Sequence, residues 1–243
     1  MPRFHALKAI ICDLDGTLVD SAEDLRATLN IVLADAGLPA VPSTAIRGMI
    51  GDGIPKLVAR ALASVQGDPA LQDELVARFL DVYRRHAADQ TRCYPGVVPT
   101  LRELRRNDFH LAVATNKPLQ ATMEILRALA LEDFFTVVIG GDTVSRRKPD
   151  PEPLFEASRR LGVAADRALM VGDNSHDVEA AHAAGMYCVA VSYGYHHRPP
   201  SQLGADHLID RFDALLPLVT NPMPRRISEY RGEHFRFQQT NGA

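Results

Sequence analysis

Two acidic residues separated by one leucine are the strongest chemical signal in this sequence. Asp13, Leu14, Asp15, Gly16 and Thr17 directly follow the apolar segment KAIIC. Side chains at positions i and i+2 of an extended chain project to the same side, so a strand ending here would present two carboxylates together. In open α/β sheets, ligands bind at the carboxyl ends of the strands. An isolated motif of this kind is also compatible with a solvated acidic turn.

Polar groups suited to phosphoryl transfer follow later parts of the chain. The apolar segment HLAVAT ends at Thr115 and is followed by Asn116, and a hydroxyl, an amide and a helix N-terminus can together hold phosphate oxygens. Lys148 stands before the stiff segment PDP and would offset the charge of a phosphate and a carboxylate. Taken singly, these residues are also compatible with a helix cap and a solvated lysine.

A second pair of acids follows the apolar segment ALMVG. Asp173, together with Asp13, would form an oxygen-rich site of the kind that Mg²⁺ prefers. Asp177 would reach this site through a water molecule or favour the N-terminus of the following helix. His176, between the two acids, is not expected to bind the metal. We therefore predict Mg²⁺ as the cofactor.

Five short apolar segments, rich in valine and isoleucine, alternate with helical patterns. They cover residues 8–12, 110–115, 136–140, 168–172 and 187–191. This alternation is typical of a parallel sheet covered by helices on both faces. We predict an α/β fold class, with a Rossmann-like parallel sheet core and the polar residues above at one edge of that sheet.

The long interval between the first two segments contains no convincing strand. We predict that residues 19–92 form an inserted helical cap, with helices at about 21–36, 54–64 and 70–88. Their apolar residues recur at helical spacing, and glycine and proline separate them.

The parts of the chain outside this cap fall into two groups. Residues 1–18 and 93–219 would form the catalytic core. Residues 220–243 are rich in proline, arginine and polar residues without apolar periodicity, so we predict a loosely ordered tail. Docking of this tail on a partner or a second subunit is the alternative.

The composition narrows the classes of function. The chain has 27 Lys and Arg against 30 Asp and Glu, a balance that does not favour binding of nucleic acid or an anionic membrane. The N-terminal segment has no apolar region typical of a signal peptide. Cys12, Cys93 and Cys188 lie far apart, which disfavours a disulfide framework, and we predict the first and last as buried strand residues. We expect a cytoplasmic monomer or homodimer acting on a small phosphorylated metabolite.

Four motifs in this order are more specific than any one alone. DLDGT, the pair Thr115 and Asn116, Lys148 before a proline, and GDNSHD resemble the four motifs of the haloacid dehalogenase-like superfamily. The resemblance covers residues from about 7 to 219. It implies a phosphatase fold with a helical cap that closes over the site and selects the substrate.

The resemblance also implies a role for each matching residue. Asp13 would attack phosphorus and form an aspartyl-phosphate, and Asp15 would protonate the leaving alkoxide. Thr115 and Lys148 would hold the phosphoryl oxygens. Mg²⁺ would be held by the carboxylates of Asp13 and Asp173 and by the backbone carbonyl of Asp15.

One segment of the predicted cap bears on the substrate. IRGMIGDGIPKLVARAL resembles the corresponding segment of bacterial phosphoglycolate phosphatases, which implies hydrolysis of 2-phosphoglycolate. Gly51 and Gly53 would allow a tight turn and contribute to substrate binding, and Lys56, Arg60 or Arg47 would meet the substrate carboxylate. An ordinary surface turn is the alternative interpretation.

Other functions stay open on the sequence alone. They are a phosphatase for another small phosphoester or pyrophosphate, a sugar-phosphate mutase, and a catalytically silent binding protein on the same fold. Dehalogenases of the superfamily lack an acid two residues after the nucleophile, so Asp15 disfavours that activity. The presence of Lys148 and Asp173 beside both acids argues against a silent protein. His196 and His197 receive no role.

Overall fold

The computed structural model describes residues 7–220. The predicted C-terminal tail, residues 220–243, therefore lies outside the described residues except for Thr220. None of the helices in residues 7–220 combines the length and hydrophobicity that a membrane span requires.

A six-stranded, fully parallel sheet forms the centre of the fold. The strand order across the sheet is β5, β4, β1, β6, β7, β8. Its strands are β1 Ala9–Cys12, β4 His110–Ala114, β5 Val137–Ile139, β6 Ala168–Gly172, β7 Tyr187–Val191 and β8 His207–Ile209. The five strands predicted from apolar segments are confirmed, as is the α/β fold class. The sixth, β8, was not predicted because it is a three-residue edge strand with the exposed Leu208 at its centre.

The strands read as continuous apolar runs because both faces of the sheet are covered. Alternate residues of β1 enter two different clusters of the core: Ile10 and Cys12 face one way, and Ala9 and Ile11 face the other. Cys12 and, in β7, Cys188 are buried free thiols, as predicted.

Helices cover each face in turn. They are α5 Val97–Arg106, α6 Leu119–Ala128, α7 Glu152–Leu161, α8 Ser175–Ala183 and α9 Leu215–Thr220. The apolar residues of α7 and α8 pack on the face that contains Ile11, whereas those of α5, α6 and α9 pack on the face that contains Ile10. These helices cover the two faces of the sheet and leave the carboxyl ends of its strands free to form a site.

The interval from residue 21 to residue 91 is helical, as predicted. It contains α1 Ala22–Asp35, α2 Ser43–Ile46, α3 Ile54–Ser64 and α4 Gln72–His86. Helix α4 packs against both α1 and α3, and its buried residues Leu75, Phe79 and Tyr83 recur every fourth position along one face. The short helix α2 was not predicted, since four residues are too few to show a helical period. These four helices are referred to below as the helical insertion.

Two short strands join the helical insertion to the sheet. Strands β2 Val19–Asp20 and β3 Arg92–Cys93 pair in an antiparallel manner where the chain leaves the sheet and returns to it. Beside them, the carboxylate of Asp24 accepts hydrogen bonds from the backbone N–H groups of Gln90 and Thr91 and from the Thr91 hydroxyl. Both ends of the insertion are thus held together at one point.

Candidate active site

The site lies where β1, β4 and β6 end. Strand β1 is central and pairs with β4 on one side and β6 on the other, with Cys12 opposite both Val113 and Val171. The backbone N–H of Asp13 extends this pairing by donating to the Val171 carbonyl at 2.9 Å. Residues that directly follow the three strands are therefore neighbours in space, which brings Asp13 close to Thr115 and Asp173.

Three carboxylates meet at this point. Oxygens of Asp13, Asp173 and Asp177 lie within 4.8 Å of one another. Asp173 is held by the Thr17 hydroxyl at 3.2 Å and by the backbone N–H of Tyr195 at 2.5 Å. A Cβ added at Gly16 would overlap the Asp173 carboxylate, so the glycine of the DLDGT motif is required by this close approach.

Asp177 has a different set of partners. Its Oδ2 accepts hydrogen bonds from the backbone N–H groups of Asp173 and Asn174, both at 3.1 Å. The Asn174 bond is one half of a capping box at the start of α8, in which the Asn174 side chain accepts from the Asp177 N–H in return. Its Oδ1 accepts a hydrogen bond from Lys148 at 2.6 Å. Through these hydrogen bonds, Asp177 orients the lysine and the helix terminus.

Lys148 is buried between two of these acids. Its ammonium lies 3.0 Å from Asp13 Oδ1 and 2.6 Å from Asp177 Oδ1, and it donates to the Ala114 carbonyl at 2.7 Å. The side chain is only 2% exposed. Burial disfavours the charge, but the two carboxylates outweigh it and raise the pKa of Lys148 above its usual value. Lys148 is therefore a fixed positive charge beside the candidate nucleophile.

The acid cluster carries more negative charge than this lysine balances. The pKa of Asp13 is raised to about 6, because burial, Asp177 and Asp15 together outweigh the lowering by Lys148. Burial, then Asp177 and Asp13, likewise raise the pKa of Asp173 well above its usual value. A divalent cation with a preference for oxygen ligands would relieve this repulsion. The residues present therefore fit a metal site.

Asp15 has a lysine of its own, which the sequence analysis did not identify. Lys117 Nζ donates to both Asp15 oxygens at 2.9 Å, and the Ser21 hydroxyl donates to Asp15 Oδ1 at 2.5 Å. The Lys117 ammonium also lies 4.7 Å from the ring centre of Tyr83 in α4. In the sequence, only its position directly after Asn116 connects Lys117 with the site. The ion pair with Asp15 joins residues 102 positions apart, so local sequence patterns do not reveal it.

These groups open into one small cavity between the sheet and the helical insertion. Its polar wall comes from the sheet, through Asp13, Asp15, Thr115, Asn116 and Lys117, and its other wall comes from the insertion, through Leu25, Ile50, Gly51, Gly53, Ile54 and Leu57. The cavity volume is about 40 Å³. At roughly 10 to 15 Å³ for each water molecule, it holds only a few small groups. Such a space suits a small ligand.

The turn between Gly51 and Gly53 brings the insertion close to the sheet. Both glycines have positive φ angles, 122° and 83°, which other residues rarely adopt. The Gly51 carbonyl accepts a hydrogen bond from Asn116 Nδ2 at 3.2 Å. A Cβ at Gly51 would lie 2.8 Å from Asn174 Nδ2. The predicted glycine turn is present and lines the cavity.

Asp52, between these glycines, forms a polar contact across the same gap. Its carboxylate lies 2.5 Å from Arg60 within the insertion and 2.9 Å from His176 Nε2 on the sheet side. His197 Nδ1 lies at 4.0 Å. These two histidines thus face an acid of the insertion, which gives His197 a position that the sequence did not suggest.

The three basic residues expected to meet a substrate carboxylate lie elsewhere. Lys56 is exposed and is not among the residues lining the cavity, Arg47 pairs with Asp20 at 2.6 Å, and Arg60 pairs with Asp52. Helix α3 turns its apolar face, with Ile54 and Leu57, toward the cavity. Lys56 lies between these two positions and consequently points away from that face.

Comparison with known proteins agrees with this geometry. The family model of the haloacid dehalogenase-like hydrolases matches residues 10–191. The chain is 42% identical over 214 residues to a phosphoglycolate phosphatase of Pseudomonas savastanoi pv. phaseolicola, covering 86% of this chain and 79% of that one. It is also 42% identical over 218 residues to the plasmid phosphoglycolate phosphatase of Cupriavidus necator, covering 87% and 93%.

A solved structure shows the same similarity in three dimensions. The crystal structure of a predicted phosphoglycolate phosphatase from Haemophilus somnus 129pt superposes with a TM-score of 0.82 at 31% identity, covering 88% of this chain and 98% of that one. The family match extends over most of the described residues and includes both candidate acids, the two lysines and Asp173. This chain is an enzyme of the haloacid dehalogenase-like hydrolase family, and within that family it resembles the phosphoglycolate phosphatases.

Proposed function

We propose that this enzyme is a Mg²⁺-dependent phosphatase that hydrolyses 2-phosphoglycolate to glycolate and phosphate through an aspartyl-phosphate on Asp13. One observation carries the proposal: Asp13 and Asp15 open into one small cavity, and each is paired with a different buried lysine. Two acids in different surroundings can take two different roles in one reaction. The names of the curated relatives support the choice of substrate.

In the first half of the reaction, the Asp13 carboxylate attacks phosphorus and the bond from phosphorus to the leaving oxygen breaks. Asp15 donates a proton to that oxygen as it leaves. Lys148, 3.0 Å from Asp13, reduces the repulsion between the carboxylate and the incoming phosphate. The Thr115 hydroxyl contacts a phosphoryl oxygen, a role supported by its position in the cavity lining directly after β4.

In the second half, water attacks the aspartyl-phosphate. Asp15 accepts the proton of that water, which restores its acid form, and the bond between phosphorus and Asp13 breaks to release phosphate. Each group therefore returns to its starting state. The wall of the insertion, with Ile50, Ile54 and Leu57, limits the water that reaches the site.

The carboxylates of Asp13 and Asp173 would hold the metal ion, with the backbone carbonyl of Asp15 as a third ligand by resemblance to the family. When bound, Mg²⁺ supplies positive charge that offsets the phosphoryl and carboxylate oxygens. Asp177 holds Lys148 and the start of α8, so we assign it a positioning role beside the metal.

The test is phosphate release from 2-phosphoglycolate, sugar phosphates, nucleotides and pyrophosphate, with Mg²⁺ or with EDTA. We expect metal-dependent turnover of 2-phosphoglycolate well above the others, and its loss in Asp13→Asn. Preference for another ester would retain the chemistry and refute the substrate. Folded enzyme that releases phosphate from none of these compounds in the presence of Mg²⁺ would refute the phosphatase assignment and favour a mutase or a silent binding protein.

A further inference from the structure

The cavity holds a positive charge that contacts Asp15 and has no assigned contact with the substrate in the proposed phosphoryl transfer. Among the described residues that line it, Lys117 alone has a cationic side chain. The basic residues of the insertion do not line the cavity, and the insertion contributes apolar side chains and two glycines instead. Within this lining, Lys117 is therefore the cationic side chain available to any anionic group of a ligand other than the reacting phosphate.

Lys117 is held firmly in place on the Asp15 side of the cavity. Its ammonium contacts both Asp15 oxygens at 2.9 Å, and its side chain is 2% exposed. The ring of Tyr83 lies 4.7 Å from the same ammonium. A lysine fixed in this way loses little further conformational freedom when it binds a ligand.

The proposed reaction places one part of the substrate beside this lysine. Phosphorus must lie at Asp13, and the leaving oxygen must lie within reach of the Asp15 proton. In 2-phosphoglycolate, a single methylene separates the leaving oxygen from the carboxylate. The carboxylate therefore lies close to Asp15, in a cavity where an unpaired anion is strongly disfavoured.

Another part of the same site shows that one buried ammonium can serve two carboxylates. Lys148 lies between Asp13 and Asp177, 3.0 Å and 2.6 Å from their oxygens. By the same geometry, Lys117 can contact Asp15 and a second carboxylate together.

From these observations, we propose that Lys117 binds the carboxylate of the substrate and makes the enzyme selective for small phosphoesters with an anionic leaving group. This proposal rests on the proposed function and names the residue that recognises the leaving group. Lys117 takes the role that the sequence analysis gave to Lys56, Arg60 or Arg47.

Two matched substrates test the proposal. Ethyl phosphate differs from 2-phosphoglycolate by a methyl group in place of the carboxylate. We compare the ratio of kcat/KM for 2-phosphoglycolate to kcat/KM for ethyl phosphate in the wild type and in Lys117→Met. A charged hydrogen bond lost from a buried pair should lower this ratio roughly ten- to a hundredfold, mainly through KM for 2-phosphoglycolate.

The ratio separates recognition from any effect on Asp15. Ser21→Ala is the matched control because Ser21 also donates to Asp15 but does not line the cavity. It should lower both kcat/KM values by a similar factor and leave their ratio within about twofold. Lys117→Arg keeps the charge and should retain most of the ratio.

The possible outcomes have distinct meanings. If Lys117→Met lowers both kcat/KM values equally, Lys117 acts only through Asp15 and the proposal is overturned while the proposed function stands. If the wild type shows no preference for 2-phosphoglycolate over ethyl phosphate, the substrate assignment and this proposal both fail. Circular dichroism checks the fold, and Lys117→Gln replaces Lys117→Met if the latter does not fold.

Discussion

The two walls of the cavity differ in polarity: the wall on the sheet side is polar and charged, and the wall of the helical insertion is largely apolar. The sheet wall carries charged groups, Asp13, Asp15 and Lys117, which strand ends and buried ion pairs hold in place. The wall of the helical insertion consists of apolar side chains and a glycine turn. The insertion contacts the sheet side through few polar groups near the cavity, among them Asp52 with His176. Substitutions of the acids and of Lys148 on the sheet side should therefore remove chemistry, whereas those in the insertion should change substrate affinity.

The most severe test of this contrast is Asp13→Asn. The amide cannot act as the nucleophile, so we expect kcat for phosphate release to fall by roughly 10⁴-fold or more. Removing one charge from the acid cluster should leave the fold intact, which thermal unfolding can verify. A folded variant with more than a tenth of the wild-type rate would show that another group attacks phosphorus.

The next largest effect is expected for Lys148→Met. Loss of the ammonium leaves Asp13 and Asp177 without their shared partner, and breaking a buried pair of this kind costs about 3 to 5 kcal/mol. Denaturant unfolding measures this loss, and phosphate release should also fall by roughly 10² to 10³-fold. Arg146→Met, an exposed neighbour, is the matched control and should change both values little.

The stability loss in Lys148→Met should depend on pH. In the wild type the pKa of Asp13 is about 6, raised mainly by burial and held down by Lys148. Without this lysine, Asp13 binds a proton more readily. A carboxyl whose pKa is higher in the folded than in the unfolded state stabilises the fold as it is protonated. In EDTA, the loss should therefore shrink as the pH falls toward that value. A loss independent of pH would contradict the electrostatic account.

A smaller effect is expected for Asp52→Asn in the insertion. It weakens the contacts with Arg60 and His176 that hold the glycine turn against the sheet side. We expect KM for 2-phosphoglycolate to rise about three- to tenfold, with less change in kcat, because a charged hydrogen bond contributes on the order of 1 kcal/mol or more. Steady-state kinetics decides the point. A fall in kcat as large as that of Lys148→Met would erase the distinction between the two walls.

The smallest effect is expected for Lys56→Met. Its side chain is exposed and lies outside the cavity lining, so kcat/KM for 2-phosphoglycolate should stay within about twofold of the wild type. The same assay with Lys117→Met provides the contrast. A tenfold loss of kcat/KM in Lys56→Met would instead indicate that Lys56 binds the substrate carboxylate.

Local sequence patterns were sufficient to predict the central strands and the residues at their carboxyl ends. Strands such as β6 and β7 are apolar runs between turn signals, and their predicted bounds agree with the structure. Asp13, Thr115 and Asp173 follow predicted strands directly, and parallel strands end at the same edge. Their convergence was predictable from the sequence because it needs only strand order and direction.

The sequence placed Lys148 beside the candidate nucleophile, but the placement of Lys56 and Lys117 was not predictable in this way. Lys56, Lys117 and Lys148 are the same type of residue, yet the first is exposed and the other two are buried ion-pair partners. The orientation of α3 decides the first case, and packing across the sheet decides the others. The residues that surround a lysine in the folded protein are often far from it in the chain. Composition and periodicity do not reveal such contacts.

Residue types and their order along the chain were enough to define the chemical groups of the site. These are two acids at a strand end, a hydroxyl, a lysine before a proline, and two further acids, all expected at one edge of the sheet. Only packing in three dimensions pairs Lys117 with Asp15, and makes the insertion present Ile54 and Leu57 rather than Lys56 to the cavity. The reason is physical. Residue types are local, whereas ion pairing and burial depend on distances that only the packed chain defines.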